Sequence, residues 1–172
     1  MSTKKHSEHP HLSGEHRWGD TLQLVLLFIF LAIWVTDSFV FHYSTFLREY
    51  VPEYLRIGLS GIILVSAWLL ARKGMRAVFG TERSGPELIH EGVFKWIRHP
   101  IYTGAMLFYL GASLITLSLA SVLFVLPVLG VYTYIARYEE KILTEEFGQE
   151  YRQYMERTGM FFPRIFSSGS RH

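Results

Sequence analysis

The sequence predicts an all-α integral membrane protein with four transmembrane helices, the last two a tight hairpin, and a C-terminal amphipathic cytoplasmic helix. Three observations predict it. Hydrophobic residues make up 49% of the 172 positions and fall in blocks, as membrane spans do, instead of in the interrupted pattern of a soluble core. From Pro100 to Ala136 there is no Asp, Glu, Lys, Arg or His. As one helix that run would reach about 55 Å, well beyond a hydrocarbon core of about 30 Å, so it must fold back on itself. Finally, fifteen of the seventeen Lys and Arg residues lie before the first span, within 72–98 or after Ala136, against only Arg48 and Arg56 elsewhere. The positive-inside rule then puts both termini in the cytoplasm, which an even number of spans requires.

Residues 1–20 are a polar tail whose four histidines (His6, His9, His11, His16) are irregularly spaced; they read as a solvated, disordered cytoplasmic segment and not as a metal site. No small-residue cleavage site follows Lys4 and Lys5, so the first apolar block is expected to be retained. Residues 21–71 hold two N-terminal spans, Thr21–Phe41 and Ile57–Ala71 (the latter lengthened by Tyr54 and Leu55), joined by an aromatic loop. Asp37, near the far end of the first span, is expected to reach the interface. Gly58, Ser60, Gly61, Ser66 and Ala67 offer the second span small residues for close helix contact, which matters where lipid supplies no hydrophobic drive.

Residues 72–163 form the core unit. Gly74, Gly80 and Ser84-Gly85-Pro86 punctuate the stretch from Arg72 to Arg98, which reads as an ordered loop. An extended piece at Leu88-Ile89 and one interfacial turn over 93–98, anchored by Trp96, are expected within it. Spans three and four cover Ile101–Leu117 and Val122–Ala136 around a turn at Ser118–Ser121, with Pro127 expected to kink the fourth. From Arg137, Ile142, Leu143, Phe147, Tyr151 and Met155 recur at helical spacing among charges, and Gly159 is the expected stop. Phe161-Phe162-Pro163 is expected to tuck against the membrane surface, and residues 164–172 read as a second disordered tail.

A formal charge of +2 gives no case for a nucleic-acid partner, and the absence of cysteine excludes disulfides, thiolate metal sites and a cysteine nucleophile. The chemistry lies at the two mouths of the hairpin, which the turn returns to one membrane face. Pro100 suits the first helical position and biases His99 away from helical geometry, leaving its imidazole near an N-cap. The helix N-terminus favours a carboxylate or phosphate there, and Gly104 leaves room one turn in for a flat ligand or a neighbouring helix. Beside it, Glu139 and Glu140 follow Arg137, a carboxylate pair able to hold an ammonium or face a sulfonium in a partly dry site. On residue types alone a plainer arrangement stays open: Arg98 and Tyr102 as headgroup anchors, His99 as a cap, and a solvated helix start at Glu139-Glu140.

The ordered pattern Gly92-Val93-Phe94, Arg98-His99-Pro100-x-Tyr102-x-Gly104, an apolar hairpin, then Glu139-Glu140, Leu143, Phe147-Gly148, Tyr151 and Tyr154 resembles the isoprenylcysteine carboxyl methyltransferase family. That family is related to the membrane phospholipid N-methyltransferases, and the resemblance covers about residues 86–163. It implies S-adenosylmethionine as methyl donor, with S-adenosylhomocysteine as product, bound at the cytoplasmic ends of the last two spans. Carried over by position, Leu88 and Ile89 line an adenosine pocket with Pro86 and Glu87, and Phe94 stands where the family usually has a tyrosine. His99, Pro100, Ile101 and Tyr102 wrap the cofactor, while Glu139, with Glu140 beside it, holds its amino-acid end. The family's acceptor-orienting arginine corresponds to Ile135, with Arg137 the nearest substitute, so Arg137 and Glu139 are the expected catalytic residues; no metal is implied. The implied reaction is carboxyl O-methylation of a lipophilic, isoprenylcysteine-like acceptor at the cytoplasmic face of a prokaryotic inner membrane. N-methylation of a phosphatidylethanolamine-type phospholipid is the alternative within the family, and a non-enzymatic membrane scaffold is the reading from another class. The expected partners are the lipid bilayer and a lipophilic or lipidated acceptor.

Overall fold

The computed structural model describes residues 19–80 and 87–164, so the tail readings over 1–18 and 165–172, and Pro86, lie outside the described residues. The described residues hold five α-helices: α1 (Gly19–Val35), α2 (Glu53–Phe79), α3 (Pro100–Thr116), α4 (Leu119–Phe147) and α5 (Gln149–Arg157). α1 continues into a π-helical turn, Thr36–Phe41, to give 23 residues. That unit, α2 and α4 are long and apolar enough to cross a membrane, whereas α3 is apolar but 17 residues long, about 25 Å. Large apolar side chains such as Phe28, Ile62, Val65 and Leu126 point outward, the inversion that a lipid-facing surface requires. Between the helices Phe30, Met106, Tyr109, Ala112, Val125, Val128 and Tyr132 form the core, with Phe30 edge-on to Tyr109 at 4.8 Å.

The tightest packing is between α2 and α3. α2 buries Ser60, Ala67 and Gly74, two turns apart each, against Gly104 and Gly111 of α3. A Cβ on Gly104 would come within 2.7 Å of the Ala67 carbonyl, and one on Gly111 within 2.9 Å of Leu64. The room left by Gly104 is therefore taken by a helix and not by a ligand. Gly58 and Gly61, expected to share this contact, face open space instead. The same packing corrects the end of the second span. α2 runs through Arg72 to Phe79, because Gly74 is a contact and not a breaker: a Cβ there would meet the Ile101 side chain at 2.7 Å.

The hairpin turns where the sequence places it. Leu117 takes a positive φ of 50°, and Ser118 caps α4, its hydroxyl accepting from the Ser121 amide at 3.2 Å. α4 then runs unbroken through Pro127, which is exposed, and on past Glu140 to Phe147. The amphipathic segment expected from Arg137 is thus the continuation of the fourth apolar helix, and only α5 is separate, divided off at Gly148 with φ 56°.

Asp37 lies at the far end of the first span, where the hairpin turns. It is buried beneath the hairpin turn and accepts hydrogen bonds from the Ser44 amide (2.9 Å), the Ser44 hydroxyl (2.5 Å) and the Ser118 hydroxyl (2.5 Å). Three donors compensate the carboxylate for its lost water. Beside it the Ser38 and Thr116 hydroxyls meet at 2.7 Å, Trp34 donates to Thr116 at 3.1 Å, and Arg56 donates to the Ile115 carbonyl at 2.6 Å, closing the C-terminus of α3.

Candidate functional site

The backbone of Ile97–His99 is kept out of helix by Pro100, and His99 sits at φ −121°, ψ 63° with no side-chain capping bond. Its imidazole instead spans the carboxylate pair of α4. Nδ1 lies 3.5 Å from Glu139 Oε2 and Nε2 lies 3.3 Å from Glu140 Oε1. The Tyr102 ring stacks parallel to His99 at 5.6 Å, and its hydroxyl donates to Glu139. Arg98 Nε donates to Glu140 at 2.6 Å, while its Nη1 donates to the Met155 carbonyl at 3.1 Å and to that of Thr158. With its side chain only 10% exposed, Arg98 is an internal fastener and not a headgroup anchor.

A further wall comes from a segment that the sequence reading missed. The Arg98 amide donates to Gly159 O at 2.9 Å, the His99 amide to Met160 O at 3.1 Å, and the Thr103 hydroxyl to Phe161 O at 3.2 Å. An isolated parallel bridge joins Ile97 to Gly159. Gly159 directly follows Thr158, the C-cap of α5, as expected of a helix stop, and it also permits a turn in which a Cβ would lie 1.7 Å from the Phe162 carbonyl. Phe161 packs on the His99 ring at 6.1 Å, so only Phe162 of that pair is turned outward. Tyr154 donates to the Phe94 carbonyl at 2.6 Å, holding α5 to the Gly92–Lys95 turn.

The two carboxylates differ in charge balance. Glu140 is paired with the permanent cation of Arg98. Glu139 is held by a phenol and an imidazole, has no Lys or Arg partner among the described residues, and is more exposed, 20% against 12%. It is the carboxylate on the more exposed side of the cluster, a group of the type that receives a cation. A sulfonium cofactor with an ammonium group fits that donor set.

Burial alone would lower the pKa of His99, but its hydrogen bonds to Glu139 and Glu140 outweigh that and hold it above the usual 6.5. A folded-state value raised above the unfolded one stabilises fully below the unfolded value and loses that contribution as pH rises through the folded one. Wild-type protein is therefore expected to lose thermal stability, as pH rises above about 6.5, more steeply than His99→Gln. Parallel melting curves across that range would show that the imidazolium does not brace the cluster.

The remaining sequence-predicted residues divide. Pro100 is buried at the start of α3, Ile101 packs on Gly74, Leu88 is buried, Ile89 and Phe94 are half-buried, and Glu87 is exposed. Arg137 is exposed and makes no hydrogen bond or ion pair with the cluster, and Ile135 is buried in apolar surroundings. The structure thus does not bring Arg137 to the carboxylates. An apolar cavity of about 320 Å³ opens nearby, lined by Gln23, Leu24 and Leu27 of α1, Ala105, Phe108 and Tyr109 of α3, and Tyr132 of α4. Tyr132 stands 5.4 Å, ring centre to ring centre, from Tyr102, and so one aromatic ring separates this cavity from the residue on Glu139.

The family model for phospholipid methyltransferases matches residues 54–150. Over 79 residues the chain is 35% identical to the protein-S-isoprenylcysteine O-methyltransferase of Saccharomyces cerevisiae, covering 45% of this chain and 33% of that protein. Over 85 residues it is 34% identical to methanethiol S-methyltransferase 1 of Bradyrhizobium diazoefficiens, covering 49% and 29%. The matches thus span about a third of the length of these relatives. The fold is similar to a solved structure of the eukaryotic intramembrane Ras methyltransferase, isoprenylcysteine carboxyl methyltransferase, with a TM-score of 0.55 at 20% identity over 95% of this chain and 55% of that one.

Proposed function

We propose, because the chain belongs to the phospholipid methyltransferase family, that it is a membrane-embedded methyltransferase using S-adenosylmethionine and acting on a lipophilic carboxylate. The observation that carries this reading is the open-sided charge of Glu139, held by Tyr102 and His99 while Arg98 neutralises its neighbour. In this reading α3 is a short fourth passage, residues 21–71 form the N-terminal pair and 72–163 the cofactor-binding core. The site and both termini face the cytoplasm of a prokaryotic cell.

When bound, the cofactor supplies a methyl group on a positively charged sulfur, activated for in-line displacement. Glu139 holds its cationic amino-acid end, and Tyr102 and His99 fix the orientation of that carboxylate. Leu88 and Ile89 offer apolar surface for the adenine, and the 158–161 wall excludes water from the His99 side. The apolar cavity between α1 and α3 is the acceptor's berth, opening toward lipid and ending on Tyr132 beside Tyr102. An amine acceptor must first lose a proton. Here Glu140 is tied to Arg98 and Glu139 is engaged with the cofactor's cationic end, which favours an acceptor that is already anionic, such as a carboxylate. A second reading, S-methylation of a small thiol, draws on the modest size of the cavity and on the similarity to a methanethiol S-methyltransferase.

Membranes containing the protein, incubated with cofactor radiolabelled at the methyl group, separate these readings. Base-labile methyl esters are the expected product; volatile thioethers would favour the thiol, and base-stable N-methyl products an amine lipid. Ala105→Trp, which fills the berth, is expected to lower turnover at least about tenfold while leaving S-adenosylhomocysteine affinity unchanged. Full turnover in that variant would move the acceptor elsewhere.

A further inference from the structure

A second recess, of about 470 Å³, lies between the last turns of α2 and the turn that precedes α3, lined by Lys73, Arg76, Ala77, Gly92, Val93 and Trp96. We infer that it holds the phosphate-bearing headgroup of an anionic phospholipid from the leaflet on which the catalytic cluster opens. Among the described residues its lining includes two cations and no carboxylate. Neither Lys73 nor Arg76 forms an ion pair among the described residues, in contrast to Arg98, whose charge is spent on Glu140. Lys73 and Arg76 stand one helical turn apart, neighbours able to converge on a single anionic group.

The depth of the recess selects a lipid over a soluble anion. The Arg72 guanidinium lies over the Trp68 ring at 4.8 Å, and Trp68 is 56% exposed in the last turn of the apolar stretch of α2. Trp96, 61% exposed, forms part of the recess itself. Exposed indoles beside cations at the end of a spanning helix mark the headgroup level of a bilayer. There the phosphates of the bilayer lie opposite Lys73 and Arg76, while Ala77 and Val93 give the apolar floor that a glycerol backbone needs and a free phosphate does not.

The test is native mass spectrometry of the full chain in mild detergent, titrated in parallel with phosphatidylglycerol and phosphatidylcholine. Wild-type protein is expected to retain phosphatidylglycerol in preference. In Lys73→Gln/Arg76→Gln its apparent affinity is expected to fall on the order of thirtyfold, as for two interfacial charges of about 1 kcal/mol each. Ala77→Trp fills the recess with both charges kept and is expected to lose the same lipid, so the inference is tested even if the double variant fails to fold. Equal retention of the two lipids by wild type would overturn the assignment. So would undiminished phosphatidylglycerol binding in either folded variant, or its displacement by millimolar inorganic phosphate, which would mark a soluble-anion site. S-adenosylhomocysteine binding measured on the same samples reports separately on the catalytic cluster.

Discussion

Glu139→Gln is expected to lose S-adenosylhomocysteine binding by at least about thirtyfold in calorimetric titration, since removing one partner of a largely desolvated charge interaction costs about 2–5 kcal/mol. Glutamine keeps the shape and still offers Tyr102 an acceptor oxygen, so the stack of Tyr102 on His99 and the melting temperature should survive. What disappears is the one carboxylate charge of the cluster that no arginine answers. Wild-type affinity in this variant would take Glu139 out of the cofactor site.

Arg98→Ala should be the most destabilising single change. It leaves Glu140 buried without its cation and removes the donor to the Met155 and Thr158 carbonyls, an expected cost of about 3–5 kcal/mol. The loss should be visible as a lower melting temperature in detergent and as rapid tryptic cleavage after Arg157, because the wall that follows α5 is held by this side chain. Arg98→Lys should not rescue it, since an ammonium on a flexible stem cannot serve a carboxylate and two carbonyls in one planar fork. Removing both charges, in Arg98→Met/Glu140→Gln, should recover part of the stability. A variant that melts as wild type with Arg157 still protected would show that the wall stands without Arg98.

The meeting of His99 with Glu139 was legible in the sequence because an uncharged run too long to cross a bilayer once has to return, and its ends carry the chemistry. Other features lay beyond that kind of reading. Gly74 carries the propensity of a breaker, and only the position of Ile101 shows that it is a contact. The wall at 158–161 is joined to Arg98 and His99 through main-chain amides, which leave no mark on residue types; Gly159 was its one visible trace. Arg137 stands two residues from Ile135 and therefore about 200° round the helix, which is why nearness in sequence did not carry it to the site. The burial of Asp37 depends on the Ser118 hydroxyl, 81 residues away, together with that of nearby Ser44.

Asp37 is made 81 residues before Ser118, the donor that completes its shell. During synthesis the acid has only Ser44 for company, and a carboxylate so partly satisfied cannot sink into hydrocarbon. The acid's full set of partners therefore exists only once Ser118 has been made. That end of the bundle is the pole remote from the chemistry, and a chain lacking Asp37 would leave the Ser118 hydroxyl without this acceptor.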